Sequence, residues 1–283
     1  MTKTTKGEQY MGLLIKANKN PKKRVVIGIP MTGLIRAEWA IARWGQTIPC
    51  NWSQTDLMAW MRQTTPLGYQ VAEARNVCVD VAVTQEYEWL LFLDHDVVLP
   101  STTFVTMNQY MLDGSIPVVS GLYCAKAHPP EPLLYRGRGN SYFTDWKLGD
   151  KVWVDGIPMG CTLINVKILK EMTKDAPKYV PIGHDKKIAR IFDTPSGSTF
   201  DPVKDSWTCF TGTEDLAWCN RVMEGKYLAR AGFPKIQAKK YPFLVDTGIF
   251  CKHITPDGTQ YPLNLPLRNK PTKPTRRRSN GNG

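Results

Sequence analysis

The sequence lacks several features that mark whole classes of protein. No apolar run approaches the roughly 20 residues that a membrane-spanning helix needs. The N-terminus has no apolar stretch and cleavage site of the kind that secretory signals carry. The 7 cysteines are scattered and form no CxxC pair, so we expect neither a disulfide framework nor a structural zinc site. These absences favour a cytoplasmic protein with reduced thiols.

The basic charge of the chain is concentrated at its two ends. The net charge is +12; residues 1–24 hold seven Lys or Arg and one acid, and residues 268–283 hold six and none. Residues 25–267 therefore carry 24 basic and 24 acidic side chains and are neutral. We expect a basic N-terminal arm and a flexible basic tail. Such arms bind polyanions such as nucleic acid or an anionic membrane surface, or else serve only solubility.

Apolar segments of strand length alternate with helical patterns between the two arms. We expect strands at residues 23–30, 48–54, 89–93, 117–120, 151–155 and 243–251. We expect helices at residues 34–44, 69–84, 102–112, 166–172 and 215–225. This alternation predicts an α/β fold with a parallel sheet built from βαβ units. Residues 125–150 and 175–210 show little periodicity, which is typical of functional or mobile loops.

Two aspartates follow the most apolar predicted strand, where the segment WLLFL leads directly into Asp94, His95 and Asp96. Residues two apart on an extended chain point the same way, so both carboxylates can reach one site. α/β sheets bind ligands at this end of their strands. Uncompensated carboxylates are costly there unless a cation binds, and oxygen ligands suit Mg²⁺ or Mn²⁺. The alternative is a solvated turn.

Five segments together resemble nucleotide-sugar glycosyltransferases of the family-2-like kind, which have the GT-A fold. They are VVIGIPMTG, AEARNVCVDVAVTQEYEWLLFLDHDVVLP, VDGIPMGCTLINVKIL, TGTEDLAWCNRVMEGKY and VDTGIFCKHI, in the family's order over roughly residues 24–254. The resemblance implies a Rossmann-like, mostly parallel central sheet flanked by helices in a single domain over residues 25–267. Residues 25–125 would form its nucleotide-sugar half, and residues 126–267 its acceptor and catalytic half with long loops.

The resemblance also implies a role for individual motif residues. The metal that bridges the donor's two phosphates would have three protein ligands, Asp94, Asp96 and His253, of which Asp96 is the main one. The donor-binding residues would be Pro30, Thr32, Arg75, Asn76, Asp94 and Gly160. Asp215, with Glu214 as the second choice, would remove the acceptor proton.

Plainer alternatives exist for these roles. His95 is turned away from the two aspartates by strand alternation and has a structural role in this interpretation. Arg75 can form an ordinary ion pair with Glu73 or Asp80. The acids at residues 214 and 215 also suit a helix N-terminus.

These roles describe a metal-dependent hexosyltransferase that moves a sugar from a nucleotide diphosphate sugar to an acceptor hydroxyl. Mn²⁺ or Mg²⁺ would be the cofactor and UDP-glucose the favoured donor. The chain also resembles compact phage enzymes, and its basic arms favour DNA as the acceptor, at a 5-hydroxymethylpyrimidine. A set of interleaved aromatic and basic residues suits nucleic acid or, equally, stacking on sugars. The set comprises Tyr123, Tyr135, Arg136, Arg138, Tyr142 and Trp146.

Three alternatives remain open at this point. The acceptor can instead be a glycan or a protein. The same carboxylates can serve a metal-dependent hydrolase of nucleotide sugars or phosphoesters, with water in place of the acceptor. A non-catalytic nucleic-acid-binding protein on a degenerate transferase fold is the third alternative. The presence of Asp94, Asp96, Asp215 and His253 together argues against the third.

Overall fold

The computed structural model describes residues 24–48, 61–137, 142–203 and 205–263, without the side chains of Met61 and Phe210. Nearly all of the N-terminal arm, the whole basic tail, Arg138 and most of the strand predicted at residues 48–54 lie outside these residues. Within them, no helix is both long and apolar enough to cross a membrane.

Within the described residues, the central sheet contains seven strands in the order β2-β1-β3-β7-β5-β12-β6. These strands are β1 (Val25–Gly28), β2 (Met61–Thr64), β3 (Trp89–Leu93), β5 (Val118–Leu122), β6 (Lys151–Val154), β7 (Cys161–Asn165) and β12 (Phe243–Phe250). Strand β7 is antiparallel to both of its neighbours, β6 is antiparallel to β12, and the other pairs are parallel. Five strands therefore run in one direction. The predicted α/β class with a mostly parallel central sheet is confirmed.

The other described elements are helices, two short strand pairs and a three-stranded sheet. The helices are α1 (Ala37–Trp44), α2 (Val71–Thr84), α3 (Thr103–Asp113), α4 (Val166–Asp175), α5 (Glu214–Glu224), α6 (Tyr227–Arg230) and α7 (Pro234–Gln237). The remaining strands are β4 (Val97–Val98), β8 (Lys178–Tyr179), β9 (Ile188–Ala189), β10 (Ser196–Asp201), β11 (Ser206–Thr211), β13 (Lys252–Ile254) and β14 (Gln260–Tyr261). Strand β8 pairs with β9 and β10 pairs with β11, and the three-stranded sheet has the order β14-β13-β4.

Alternate side chains of the central strands enter two separate cores. In β3, Leu90 and Phe92 join the core that α2, α4 and α5 cover, whereas Trp89, Leu91 and Leu93 join the core that α1 and α3 cover. Because helices bury both faces of the sheet, its central strands are continuously apolar rather than alternating. This burial explains why WLLFL was recognisable in the sequence as a strand.

Three elements differ from the sequence-based expectation. The strand that pairs with the outer side of β1 is β2, whose sequence MRQT lacks an apolar pattern because β2 lies at the sheet edge. Strand β7 was not predicted, since its residues continue without a break into helix α4. Strands β10 and β11 form an antiparallel hairpin within the stretch that showed little periodicity.

The fold brings the predicted site residues to one edge of the sheet. Strands β1, β3, β5 and β12 run in the same direction, so the segments that follow them meet at their carboxyl ends. Strand β7 runs the opposite way, so its beginning, at Gly160 and Cys161, lies at that same edge. The site is therefore assembled from segments that are far apart in the sequence.

Candidate functional site

Asp94 is the first residue after β3, and its carboxylate faces a buried arginine. Nη2 of Arg75, on α2, lies 3.0 Å from Asp94 Oδ1 and 3.1 Å from Oδ2. The Asp94 backbone N–H donates to the Gly160 carbonyl at 2.9 Å. The Asp94 carbonyl accepts a hydrogen bond from Trp39 Nε1 at 2.8 Å. These contacts fix both the backbone and the carboxylate of Asp94.

The same guanidinium also binds Glu214, at the beginning of α5. Arg75 Nε donates to Glu214 Oε1 at 3.1 Å, and Arg75 is only 2% exposed. Burial lowers the pKa of Arg75, but the charges of Asp94 and Glu214 outweigh it, so the net pKa lies above the ordinary value. Arg75 is thus a charged link between β3 and α5, and its partners are not the predicted alternatives Glu73 and Asp80.

Asp96 is the point where two side chains from different segments, Lys126 and His253, converge. Its Oδ2 accepts a hydrogen bond from Lys126 Nζ at 2.6 Å and lies 3.2 Å from His253 Nε2. Burial raises the pKa of Asp96, but the hydrogen bonds and charges of His253 and Lys126 outweigh it and hold the pKa well below its usual range. Asp96 is therefore ionised at any pH near neutrality.

The surroundings of His253 suit a cation at its second nitrogen. Nδ1 lies 3.1 Å from the carbonyl oxygen of Cys124, and because a carbonyl only accepts, Nδ1 carries the hydrogen and donates it. In a neutral ring, Nε2 then directs a lone pair at the Asp96 carboxylate. That contact is favourable only with a proton or a cation between the two atoms. A histidine whose other nitrogen is held by a backbone carbonyl is the usual arrangement around a bound metal.

The donor atoms of Asp96 and His253 fit a divalent cation, but the predicted set of three protein ligands does not come together. Among the described residues, no group of three or more His, Cys, Asp or Glu side chains could hold a metal ion. The structure brings Asp96 and His253 together and places Asp94 on Arg75 instead. A cation at this pair would take its remaining ligands from phosphate oxygens and water, as Mg²⁺ commonly does.

Asp215, the second residue of α5, is the carboxylate best suited to exchange a proton. Burial and the neighbouring charge of Glu214 raise its pKa to about 6, although Thr213, Arg75 and the Leu216 amide oppose the rise. The Leu216 N–H donates to Asp215 Oδ1 at 2.8 Å, and the side chain remains partly accessible. Glu214 is 9% exposed and bound to Arg75. The geometry therefore favours Asp215 over Glu214 as a general base.

Tyr123 fills the space beside Gly160. The Gly160 N–H donates to the Tyr123 hydroxyl at 2.9 Å, and a Cβ at position 160 would meet that hydroxyl oxygen at 2.4 Å. Gly160 is therefore required by a protein side chain, and the predicted approach of a sugar to it stays a prediction. Burial, Asp94 and Asp215 raise the pKa of Tyr123 well above its ordinary value. The phenol thus stays neutral within electrostatic range of both carboxylates.

The loop after β1 is joined to the Asp94–Asp96 turn by His95. His95 Nδ1 lies 3.2 Å from the Pro30 carbonyl oxygen, and Nε2 lies 3.3 Å from Thr32 Oγ1. By these two contacts His95 connects the loop to the turn, which is the structural role expected of it. Thr32 itself is exposed at the sheet edge, next to the segment that carries Asp96.

The predicted donor-binding residue Asn76 has its amide fully engaged by the chain. Its Oδ1 accepts from the backbone N–H groups of Ile191 and Phe192 at 2.9 and 2.7 Å. Its Nδ2 donates to the Phe192 carbonyl at 2.9 Å. Asn76 therefore fixes the segment before β10 to helix α2, and a contact with the donor stays a prediction.

The predicted aromatic and basic set does not form one continuous surface in the described residues. Tyr123 is buried in the site, and the rings of Tyr135 and Tyr142 pack 5.2 Å apart. The Arg136 guanidinium lies 3.6 Å from the ring centroid of Phe143. Several of these ring faces are thus engaged by protein groups, which leaves less surface for stacking on bases than the sequence suggested.

Lys126 and the Cys124 carbonyl are the site groups that sequence reasoning missed. A single lysine in an irregular loop carries no periodic or motif signal. A sequence also gives no sign of which backbone carbonyl will contact a site residue. Only the fold brings Lys126 to Asp96, which lies 30 positions earlier in the chain.

No family model and no curated protein sequence match this chain. Among solved structures, 73 chains match. The crystal structure of A197 from STIV is 16% identical with a TM-score of 0.48, covering 82% of this chain and 86% of that one. S. aureus TarS 1–349 in complex with UDP is 13% identical with a TM-score of 0.34, covering 56% of this chain and 50% of that one.

Proposed function

We propose that the chain is a metal-dependent glycosyltransferase of the GT-A type that transfers a sugar from a UDP-sugar to an acceptor hydroxyl. One observation carries this proposal: Arg75 binds both Asp94 and Glu214. Asp94 lies two residues before the Asp96–His253 pair and Glu214 is next to Asp215, so a cation-binding pair and a candidate base belong to one site. The pKa of Asp96 is held below its usual range, and that of Asp215 is raised to about 6. The separated pKa values suit the two carboxylates to different chemical roles.

Asp96 and His253 are the residues that would hold the cation, Mn²⁺ or Mg²⁺. The cation would neutralise charge on the leaving diphosphate. Asp94 is 22% exposed at its side chain while Arg75 fixes its orientation, and its carboxylate would accept a hydrogen bond from a hydroxyl of the sugar donor. The loop that contains Pro30 and Thr32 would lie against the nucleotide.

Asp215 would act on the acceptor. Its carboxylate accepts the proton of the acceptor hydroxyl while that oxygen forms a bond to the anomeric carbon of the sugar. The bond from that carbon to the diphosphate breaks, and its electron pair leaves with the nucleoside diphosphate. The Leu216 N–H, which donates to Asp215 Oδ1, holds the carboxylate in place and leaves its other oxygen for the proton.

We expect the rate of transfer to depend on pH through Asp215. The carboxylate must be ionised to accept a proton, and burial and Glu214 raise its pKa to about 6. The value of kcat/KM should therefore rise with pH up to about 6 and level off above it, with about a tenfold loss at pH 5. Measurement between pH 5 and 8 under saturating Mn²⁺ tests this expectation. A flat wild-type profile over that range would exclude Asp215 as the titrating base.

We further propose that the acceptor is DNA and that the sugar is transferred to the hydroxyl of a 5-hydroxymethylpyrimidine base. The support is the distribution of charge: residues 25–267 are neutral, and the surplus lies in the two terminal segments. Lysines and arginines at the ends of a chain can hold a phosphate backbone without contributing to sequence recognition. A modified base would then have to be extruded to reach Asp215.

Deleting residues 269–283 should weaken binding to duplex DNA. The deletion removes five basic side chains, at residues 270, 273, 276, 277 and 278. The log–log slope of affinity against salt concentration should fall by up to about 4.5, because each lost phosphate contact contributes about 0.9. Fluorescence anisotropy of a labelled duplex across a salt series measures this slope.

The matched control for this truncation removes residues 279–283, which carry no charge, and should leave the slope unchanged. Turnover on a hydroxymethylated mononucleoside should barely change in either deletion. If the longer deletion leaves DNA affinity and its salt slope unaltered, the charge argument for DNA fails, and a glycan or protein acceptor becomes the leading hypothesis.

A further inference from the structure

The ammonium group of Lys126 binds the same Asp96 carboxylate oxygen that a metal at this site would need as a ligand. Lys126 Nζ lies 2.6 Å from Asp96 Oδ2, and His253 Nε2 faces the same oxygen at 3.2 Å. The side chains of Lys126 and Asp96 are 29% and 30% exposed. A divalent cation and an ammonium cannot both contact one carboxylate oxygen without strong mutual repulsion.

The backbone of the loop that carries Lys126 is fixed by hydrogen bonds between its two sides. The Leu133 N–H donates to the Tyr123 carbonyl at 2.9 Å, and the Ala125 N–H donates to the Glu131 carbonyl at 2.8 Å. The carbonyl between them, that of Cys124, holds the His253 ring. Displacement of the ammonium therefore needs only rotation of the flexible lysine side chain, with no change in the loop.

We propose that Lys126 is a built-in counter-ion of Asp96 that a divalent cation displaces, and that the released ammonium then binds the donor diphosphate. This inference rests on the proposed function, because it assigns the diphosphate to the same site. It makes Lys126 a residue that couples metal binding to donor binding. The unliganded carboxylate is never left unpaired, and the diphosphate gains a second cation only after the metal has bound.

The first test is Mn²⁺ binding to the full chain without nucleotide, measured by electron paramagnetic resonance of the free ion. Lys126→Met removes the charge and keeps most of the side-chain length. We expect it to bind Mn²⁺ about two- to fivefold more tightly than wild type, the range for removal of a partly exposed ion pair. Lys170→Met, at an exposed position of α4, should bind Mn²⁺ as wild type does.

The second test is UDP binding by titration calorimetry at saturating Mn²⁺. Here Lys126→Met should bind about three- to tenfold more weakly than wild type, because the released ammonium is missing. Opposite changes in Mn²⁺ and UDP affinity are a signature that general loosening of the fold does not produce. Circular dichroism verifies folding, and Lys126→Gln replaces the methionine variant if that variant does not fold.

The outcomes separate this inference from the proposed function. Unchanged or weaker Mn²⁺ binding by Lys126→Met, or no Mn²⁺ binding by any of the proteins, overturns the displacement. Unchanged UDP affinity overturns the role toward the diphosphate. If both affinities shift as expected while UDP-glucose gives no transfer to any acceptor, the inference about Lys126 holds and the proposed transferase activity fails.

Discussion

Asp215→Asn should lower turnover by about 10²–10⁴-fold, the contribution of a general base, while it makes the folded protein more stable at pH 7. The loss follows because an amide cannot take the acceptor proton. The gain follows because burial and Glu214 raise the pKa of Asp215 from 3.8 to about 6. The charged form is thus disfavoured in the folded state, and this destabilisation is complete above about pH 6 and absent below about pH 4.

The stability gain is expected to be about 1–3 kcal/mol at pH 7 and to vanish near pH 4. Urea unfolding at the two pH values measures it, and steady-state UDP release measures turnover. Asparagine can still accept the hydrogen bond from the Leu216 amide, so the beginning of α5 should remain intact. Asp185→Asn, at an exposed loop position, is the matched control and should change neither quantity. A variant that keeps more than about a tenth of wild-type turnover would limit Asp215 to a role at the helix terminus.

Asp96→Asn should abolish the effect of Mn²⁺ on UDP binding. The carboxylate is the only anionic group of the Asp96–His253 pair, and its pKa is held low by His253 and Lys126 against the opposing effect of burial. Without that charge the site can retain neither a divalent cation nor the Lys126 ammonium. Turnover should fall by at least about 10²-fold, since a bound cation contributes several kcal/mol to transition-state stabilisation.

Calorimetric titration of UDP with and without Mn²⁺ measures the first effect. In wild type the two affinities should differ, and in Asp96→Asn they should coincide. Asp193→Asn provides the control, because Asp193 is also in an ion pair, with Arg190 at 2.7 Å, but is more exposed and outside the site. If Asp96→Asn retains the wild-type dependence of UDP binding on Mn²⁺, the assignment of Asp96 as a metal ligand is wrong.

Local sequence patterns were sufficient to predict the strands and helices whose surroundings are uniform. Strand β3 was predicted with its observed bounds, because helices cover both of its faces and all five side chains are buried. Strand β2 was not predicted, because an edge strand need not be apolar. The hairpin of β10 and β11 was also missed, since most of its side chains are exposed and, in the part of the chain that the structure describes, its strands pair only with each other.

The motif residues could be listed from the sequence, but their partners could not. Strand alternation places Asp94 and Asp96 on the same side of the chain. It does not reveal that Arg75 binds Asp94, or that this arginine also reaches Glu214, which lies 139 positions away. Those contacts decide which carboxylate is left free to bind a cation and which one is left free to accept a proton. They depend on tertiary packing, for which neither periodicity nor spacing gives a signal.

The most direct test of the proposed transferase is UDP release from UDP-glucose in the presence of Mn²⁺, with and without hydroxymethylated duplex DNA, followed over a panel of other nucleotide sugars and acceptors. We expect release that depends on both the metal and the acceptor, with the sugar recovered on the acceptor, and none with Asp215→Asn above the residual rate. Release that proceeds equally without any acceptor would contradict sugar transfer and identify a hydrolase. No release from any donor in the panel would contradict catalysis altogether and leave a binding protein on this fold.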